Sequence, residues 1–498
     1  MIIKSWFGRS WQWKIGGYVS LVGILSIGVS DRVNAQIVPD KTLGAEGSVV
    51  TPNVNIQGIS SDRIDGGATR GANLFHSLQD FNVGEGRGAY FANPTGIENI
   101  LTRVTGGNAS NILGRLGVLG GANLFLLNPN GIIFGPNASL DIQGSFLATT
   151  ADRIKLGDSG YFSATQPQTS SLLSVSPGAL FFNAVASQPG SIINQGNLST
   201  GKHLTLSAGN LDLQGQLKAL GDLTLQAQDT VKVRDAIASP IIATSGRNLT
   251  IQGNQNVDIL ALSHPLSKIG SGGNLNLISD GDISLDAHFE SGGNLSMLTG
   301  SGTPGNFVSM FGPIIQANGD VLFGNYTGVA LKVEATGSIK GGNIKITEAK
   351  CADGSAECVG GIPTTDPDFV TLTGRSSVIL RAGLAAVNTA NLTQNPGGTG
   401  FTATSGLPLG ITIGNIDTYS RNGGNGGDII LSATKGSINT GNLDSRSFSF
   451  DGDAGQGGAI RLTAANDINI TGDLDSGSFS FDGDAGQSGR RDSLNCCQ

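Results

Sequence analysis

The sequence is short of the residues on which most enzyme and metal chemistry depends. Of its 498 residues only four are His, four are Cys, three are Met and three are Trp. So few His and Cys leave little from which to build a zinc or iron site. The histidines, His76, His203, His264 and His288, stand without obvious partners. Charged residues make up 14% and aromatics 6%. Proline is sparse (16) although glycine reaches 77, a ratio that fits neither collagen nor the usual disordered composition. No Gly-rich turn ends in Gly-Lys-Ser/Thr, so none reads as a phosphate loop. Beyond residue 29 no apolar run is long enough to span a bilayer.

What is abundant is Gly, Asn, Ser, Thr, Leu and Ile, a mixture for short strands and tight turns rather than helices. The N-terminus reads as a signal peptide, residues 1–35: Lys4, Arg9 and Lys14, then an apolar run from Ile15 to Val29, then DRVNAQ. Val33 and Ala35 sit at the small-residue positions of a cleavage site, placing the cut between Ala35 and Gln36. Trp6, Trp11 and Trp13 all fall in this leader, and removing its net +3 from a chain of −8 leaves −11. An acidic exported chain is poorly suited to non-specific nucleic-acid binding. Export makes the loop CADGSAEC read as closed by a Cys351–Cys358 disulfide. The adjacent Cys496 and Cys497 lack metal-site spacing.

A loose repeat of glycine, a small polar residue and an alternating apolar pair runs through the second half. It appears as GKHLTLSA at Gly201, GDLTLQA at Gly221, GRNLTI at Gly246, GGNLNL at Gly272, GGNLSM at Gly292, GDVLFG at Gly319, GGNIKI at Gly341, GGDIIL at Gly426 and GGAIRL at Gly457. Period two marks strands with one buried face. Short strands and turns at this spacing predict an all-β solenoid, best a parallel β-helix of the single-chain, pectin-lyase-like kind. Coils of about 22 residues and three strands would stack into a rod on the order of 100 Å. Near the end GNLDSRSFSFDGDAGQGG (from Gly441) recurs as GDLDSGSFSFDGDAGQSG (from Gly472). At that offset Arg491 and Ser493 replace the inward Ile460 and Leu462, so the apolar pattern is expected to stop, as in a truncated or frame-shifted array.

The stretch from Val104 to Leu156, containing NLFLLNPNGIIFGPNASLDIQGSF, closely resembles the N-terminal secretion domain of filamentous haemagglutinin-like exoproteins of two-partner secretion systems. GANLFHSLQDFNVGEGRGAYFANPTGIENILTRV, from Gly71 to Val104, resembles the same family, its ANPTGIENILTRVTGG variant cyanobacterial members in particular. The family's NPNGI signature falls on Asn128, Pro129, Asn130, Gly131 and Ile132; its NPNL signature is not intact, and NPTG at Asn93–Gly96 is a partial echo. The resemblance implies a right-handed β-helix with an N-terminal cap, export through a dedicated outer-membrane β-barrel transporter and folding outside the cell. The expected organisation is the signal peptide, a secretion domain over 36–300, and further β-helix over 301–498. Physically, Pro129 fixes a backbone angle and Gly131 permits a positive one, making a corner between strands. That corner either nucleates the fold or is recognised by the transporter, through itself or through strand addition at a sheet edge.

No catalytic residues, cofactor or metal ligands are expected. RIK at Arg153–Lys155 echoes polygalacturonases but stands alone, without a carboxylate pair. Asp451 and Asp453, with Asp482 and Asp484, offer too few oxygens for calcium. The expected function is a secreted or cell-surface adhesin, with a glycan as a candidate ligand and the loop Ala349–Val370 as a display element. The alternatives are a β-helical polysaccharide lyase or hydrolase, and the stalk of a contact-dependent toxin lacking its effector.

Overall fold

The computed structural model describes residues 37–181, 190–347, 362–387, 406–421, 423–481 and 493–496. The proposed cleavage site at Ala35 and Gln36 and the Cys351–Cys358 pair lie outside the described residues, as does Cys497.

The predicted parallel β-helix is what the chain forms. Three long sheets of 16, 13 and 16 strands run along it, here sheets I, II and III. One coil shows the path. Asn123–Leu127 lies in sheet I, Ile132–Phe134 in sheet II and Ser139–Asp141 in sheet III, and Phe146–Thr149 returns to sheet I. Each strand pairs in parallel with its counterparts one coil before and after. Leu223 and Leu225 lie beside Leu249 and Ile251, which lie beside Leu275 and Leu277. All six are fully buried, forming an aliphatic ladder in which each side chain contributes roughly 1.5–3 kcal/mol of burial. A single coil could not bury these residues alone, so stacking carries the stability.

Corners are held by a second kind of ladder. Between sheets III and I, the side-chain oxygen of Asp222 accepts the Asn248 N–H, Asn248 that of Asn274, Asn274 that of Asn294 and Asn294 that of Asp320, at 2.8–3.0 Å. The series ends with Ser338 N–H on Asp320 at 2.7 Å. It begins far upstream, through Asn73, Asn99, Asn123, Ser145 and His203. From Asn306 a new ladder occupies the corner between sheets I and II, through Asn325, Asn343, Asn415 and Asn442 to Asp473. Sequence separations along the ladders give coil lengths of 18 to 31 residues. Two coils are longer, at 58 and 72 residues. The first carries a three-stranded antiparallel sheet (Arg153–Leu156, Gly160–Ser163, Pro177–Phe181). The second carries the short helix Phe369–Gly374, whose Leu372 packs outside sheet III with Ile314, Ala330 and Ile379. Its base is fixed by Lys332, whose ammonium lies 2.8 Å from Asp366 and 2.9 Å from Asp368.

The first coil is capped by antiparallel strands. Ile37–Pro39 pairs with Asn73–Phe81 at the end of sheet I, and Ser48–Ile56 forms a hairpin with Ile59–Gly66 at the end of sheet III. Gln57 and Gly58 turn that hairpin with positive φ of 52° and 81°, as a tight primed turn requires.

The C-terminal register corrects one expectation. Ser493–Cys496 pairs with Ile460–Ala464 so that Leu494 aligns with Leu462 and Cys496 with Ala464. The offset is one residue longer than the 31 of the duplication, and the strand pattern continues where the unshifted register would have ended it.

Candidate functional site

The NPNGI residues form one corner, between Asn123–Leu127 of sheet I and Ile132–Phe134 of sheet II. Gly131 has φ +119°, and its N–H closes the turn on the Asn128 carbonyl at 3.2 Å. Asn128 is fully buried. Its amide donates to the Asn108 carbonyl at 3.0 Å and to Ser110 Oγ at 2.9 Å, one coil back. Its Oδ1 accepts the Asn130 N–H at 3.0 Å. Ile132 and Phe134 are buried in the main core, with Phe134 edge-on to Phe146 at 6.2 Å. Pro129 is half-buried and Asn130 is exposed. The amide of Asn130 still reaches the Gly106 carbonyl at 2.7 Å. Two roles that looked alike in the sequence therefore separate: Asn128 ties coils together, and Asn130 presents the corner to solvent.

The partial echo NPTG occupies a different corner. It joins Gly88–Ala92 of sheet III to Asn99–Val104 of sheet I, with Gly96 at φ +85°. The two motifs share turn chemistry but not position in the coil.

Around this corner sheet I is buried on both faces. Inside lies the main core. Outside, Phe75, Leu101, Leu127, Ile154, Leu156 and Phe162 form a second cluster beneath the inserted sheet. The RIK segment belongs to that insert: Ile154 and Leu156 are buried there, and Arg153 lies over the Tyr161 ring. Two-sided burial is why NLFLL reads as a near-continuous apolar run.

Sequence reasoning missed the residue that joins these layers. Arg103 is fully buried on the outer face of sheet I. Its guanidinium donates to Ser77 Oγ at 2.8 Å, Thr42 Oγ1 at 2.8 Å, the Ser163 carbonyl at 2.8 Å and Ser170 Oγ at 2.6 Å. It also covers the Phe162 ring at 4.7 Å. Burial pulls its proton affinity down to about 10, and nearby Asp40 opposes that loss; it stays charged at neutral pH. Asp40 accepts from Thr42, Ser77 and Thr105. Burial would raise its pKa, but these hydrogen bonds outweigh it and hold the carboxyl below its ordinary value. One guanidinium thus links cap, sheet I and insert. The available signal was a lone charged residue in the strand NILTRV.

Beside it His76 is buried, with Nδ1 3.1 Å from Ser48 Oγ and Nε2 without a hydrogen-bond partner. Burial pushes its pKa down to about 4, so the imidazole is neutral. Of the remaining histidines, His203 and His264 accept backbone N–H groups at turns. Asp451 and Asp453 are exposed. Among the described residues no three His, Cys, Asp or Glu side chains cluster as metal ligands, and no helix is long and apolar enough to cross a membrane.

Comparison with known proteins finds a family match over the N-terminal part of the chain. The family model of the TPS secretion domain matches residues 35–297. The heme/hemopexin-binding protein of Haemophilus influenzae is 38% identical over 80 residues, 16% of this chain and 8% of that protein. The chain therefore aligns with only a small part of that relative's length. The crystal structure of the filamentous hemagglutinin secretion domain overlays with a TM-score of 0.34 at 17% identity, covering 62% of this chain and 96% of that one. That of the HMW1 secretion domain from Haemophilus influenzae gives 0.28 at 14%, covering 86% and 100%.

Proposed function

The chain belongs to the TPS secretion domain family, and from that premise we propose that it is a two-partner-secreted exoprotein, released from the cell or held at its surface. Its partner is an outer-membrane β-barrel transporter. Residues 1–35 are the signal peptide, removed between Ala35 and Gln36. Residues 36–300 are the secretion domain, and 301–498 extend its β-helix as a non-enzymatic adhesive surface. The observation that carries this reading is the capped first coil. Each coil of a solenoid is stabilised by its neighbour, and the antiparallel strands Ile37–Pro39, Ser48–Ile56 and Ile59–Gly66 supply the first edge. A chain emerging N-terminus first could then fold outside the membrane, each coil templating the next.

Within this reading Asn128 serves folding and the exposed Asn130 serves recognition by the transporter. The test is release of the full chain carrying Asn128→Ala or Asn130→Ala, with the stability of each purified chain. The reading expects Asn130→Ala to secrete poorly while folding normally. Normal secretion of Asn130→Ala removes the corner from recognition. Catalysis is not part of the proposal: among the described residues the titratable cluster Lys332, Glu334, Asp366, Asp368 and Arg381 pairs within itself.

A further inference from the structure

Ladder strands throughout the solenoid turn apolar side chains inward. Two strands near the end reverse this. In Ser447–Ser449 and Ser478–Ser480, which pair in parallel with Phe448 beside Phe479, the serines face inward and the phenylalanines outward. The hydroxyls of Ser447 and Ser478 donate to the carbonyls of Gly424 and Gly455, at 2.6 and 2.7 Å. Those of Ser449 and Ser480 donate to the carbonyls of Asp451 and Gly452, at 3.0 and 2.7 Å. Phe450, Phe479 and Phe481 remain 65%, 54% and 65% exposed. The reversal occurs in both copies of the 31-residue duplication, with Ser447 and Ser449 buried in the first and Ser478 and Ser480 half-buried in the second.

The rings are ordered. Phe448 and Phe479 stack 5.6 Å apart at 7°, and Phe450 and Phe481 6.1 Å apart at 2°. Within each coil the two rings meet edge-on, at 4.5 and 5.3 Å. Tyr419 extends the row by a further coil, 6.5 Å from Phe448, with Arg421 and Arg446 each 5.3 Å from its ring centre. A contiguous exposed aromatic surface of this kind marks an interaction site.

Resting on the exoprotein reading, we propose that this aromatic ladder binds a neutral polysaccharide. The charge around it selects the partner. Arg446 is held by Asp444 at 2.6 Å and lies 3.4 Å from Asp475, and Asp417, Asp451 and Asp453 add further negative charge nearby. Two arginines against five aspartates give no net attraction for a polyanion or an anionic membrane, and a second copy would bring the same negative charge. A neutral sugar chain fits both components. Aromatic rings pack on its C–H faces, and carboxylates accept its hydroxyls. One ring pair per coil also matches a repeating ligand, since contacts made together by one chain reinforce each other.

The experiment is affinity electrophoresis of the full mature chain in gels containing hydroxyethylcellulose or dextran, with alginate gels and anionic phosphatidylserine vesicles as comparisons. The proposal expects retardation by at least one neutral polymer. Phe450→Ser/Phe481→Ser should weaken it by about tenfold or more, while Ile237→Ser, at a residue 87% exposed elsewhere, leaves it unchanged. If the serine pair also lowers the unfolding midpoint, Phe450→Tyr/Phe481→Tyr must retain binding. Absence of retardation by both neutral polymers, retardation unchanged in the serine pair, loss of binding in the tyrosine pair, or binding confined to alginate or vesicles overturns the proposal. A chain released in a partner-dependent way that ignores both polymers sinks this inference and leaves the secretion reading standing.

Discussion

Phenylalanine is used in opposite senses at the two ends of this β-helix. In the first coils Phe75, Phe81, Phe91, Phe134 and Phe146 are buried, whereas Phe450, Phe479 and Phe481 face solvent. The corner ladders differ in the same direction. Asn248, Asn274 and Asn294 are half-buried, while Asn325, Asn343, Asn415 and Asn442 are exposed. The geometry of the coil is common to both regions. For phenylalanine, what differs is how many faces are covered: in the first coils sheet I has a core on each side, whereas the face carrying Phe450, Phe479 and Phe481 is open to solvent. The first coils are therefore tied on two faces, and the late aromatic face stays open for contact.

The largest break in that contrast should come from Arg103→Met. It unlinks cap, sheet I and insert, and leaves Asp40 without its buried countercharge. A loss of about 3 kcal/mol or more is expected in denaturant unfolding, far above any single change in the late coils. Acid should sharpen the contrast next. The folded chain resists protonating His76 until about pH 4, whereas the unfolded chain takes the proton near 6.5. Stability is then complete above about 6.5 and falls as the pH drops towards 4, by up to about 3 kcal/mol. His76→Phe should flatten this segment of the stability–pH curve. Asn128→Ala should cost about 2 kcal/mol through its unpaired buried partners, against under about 0.5 for the exposed Asn130→Ala. The smallest pair compares the ladders: Asn274→Ala should cost about 1 kcal/mol and Asn343→Ala a few tenths. Equal costs would show that solvent shielding of the ladder contributes nothing.

The sequence carried the strand type, the parallel stacking and the NPNG corner, because alternation and turn residues act locally. It did not carry which corner a repeat belongs to. GGNLNL at Gly272 leads into sheet I, GGNIKI at Gly341 into sheet II and GGDIIL at Gly426 into sheet III. The repeat unit is a signal for turning a corner, and any corner can use it; hence its irregular spacing. Nor could it reveal the role of Arg103, whose partners Thr42, Ser77, Ser163 and Ser170 are scattered over the chain and meet only after the cap and insert pack. The aromatic ladder was visible as a duplication, but its outward direction depends on serines finding backbone partners inside. The terminal strand departs from the duplication's offset by one residue, and one added residue in a strand exchanges its faces.

The most direct test of the central claim is release of the full chain from cells with and without the cognate outer-membrane barrel, followed by protease resistance of what is released. The account predicts that the barrel is required and that the released chain is folded, with its N-terminal coils the last to be digested. Release without the barrel, or retention in the periplasm when the barrel is present, would contradict it.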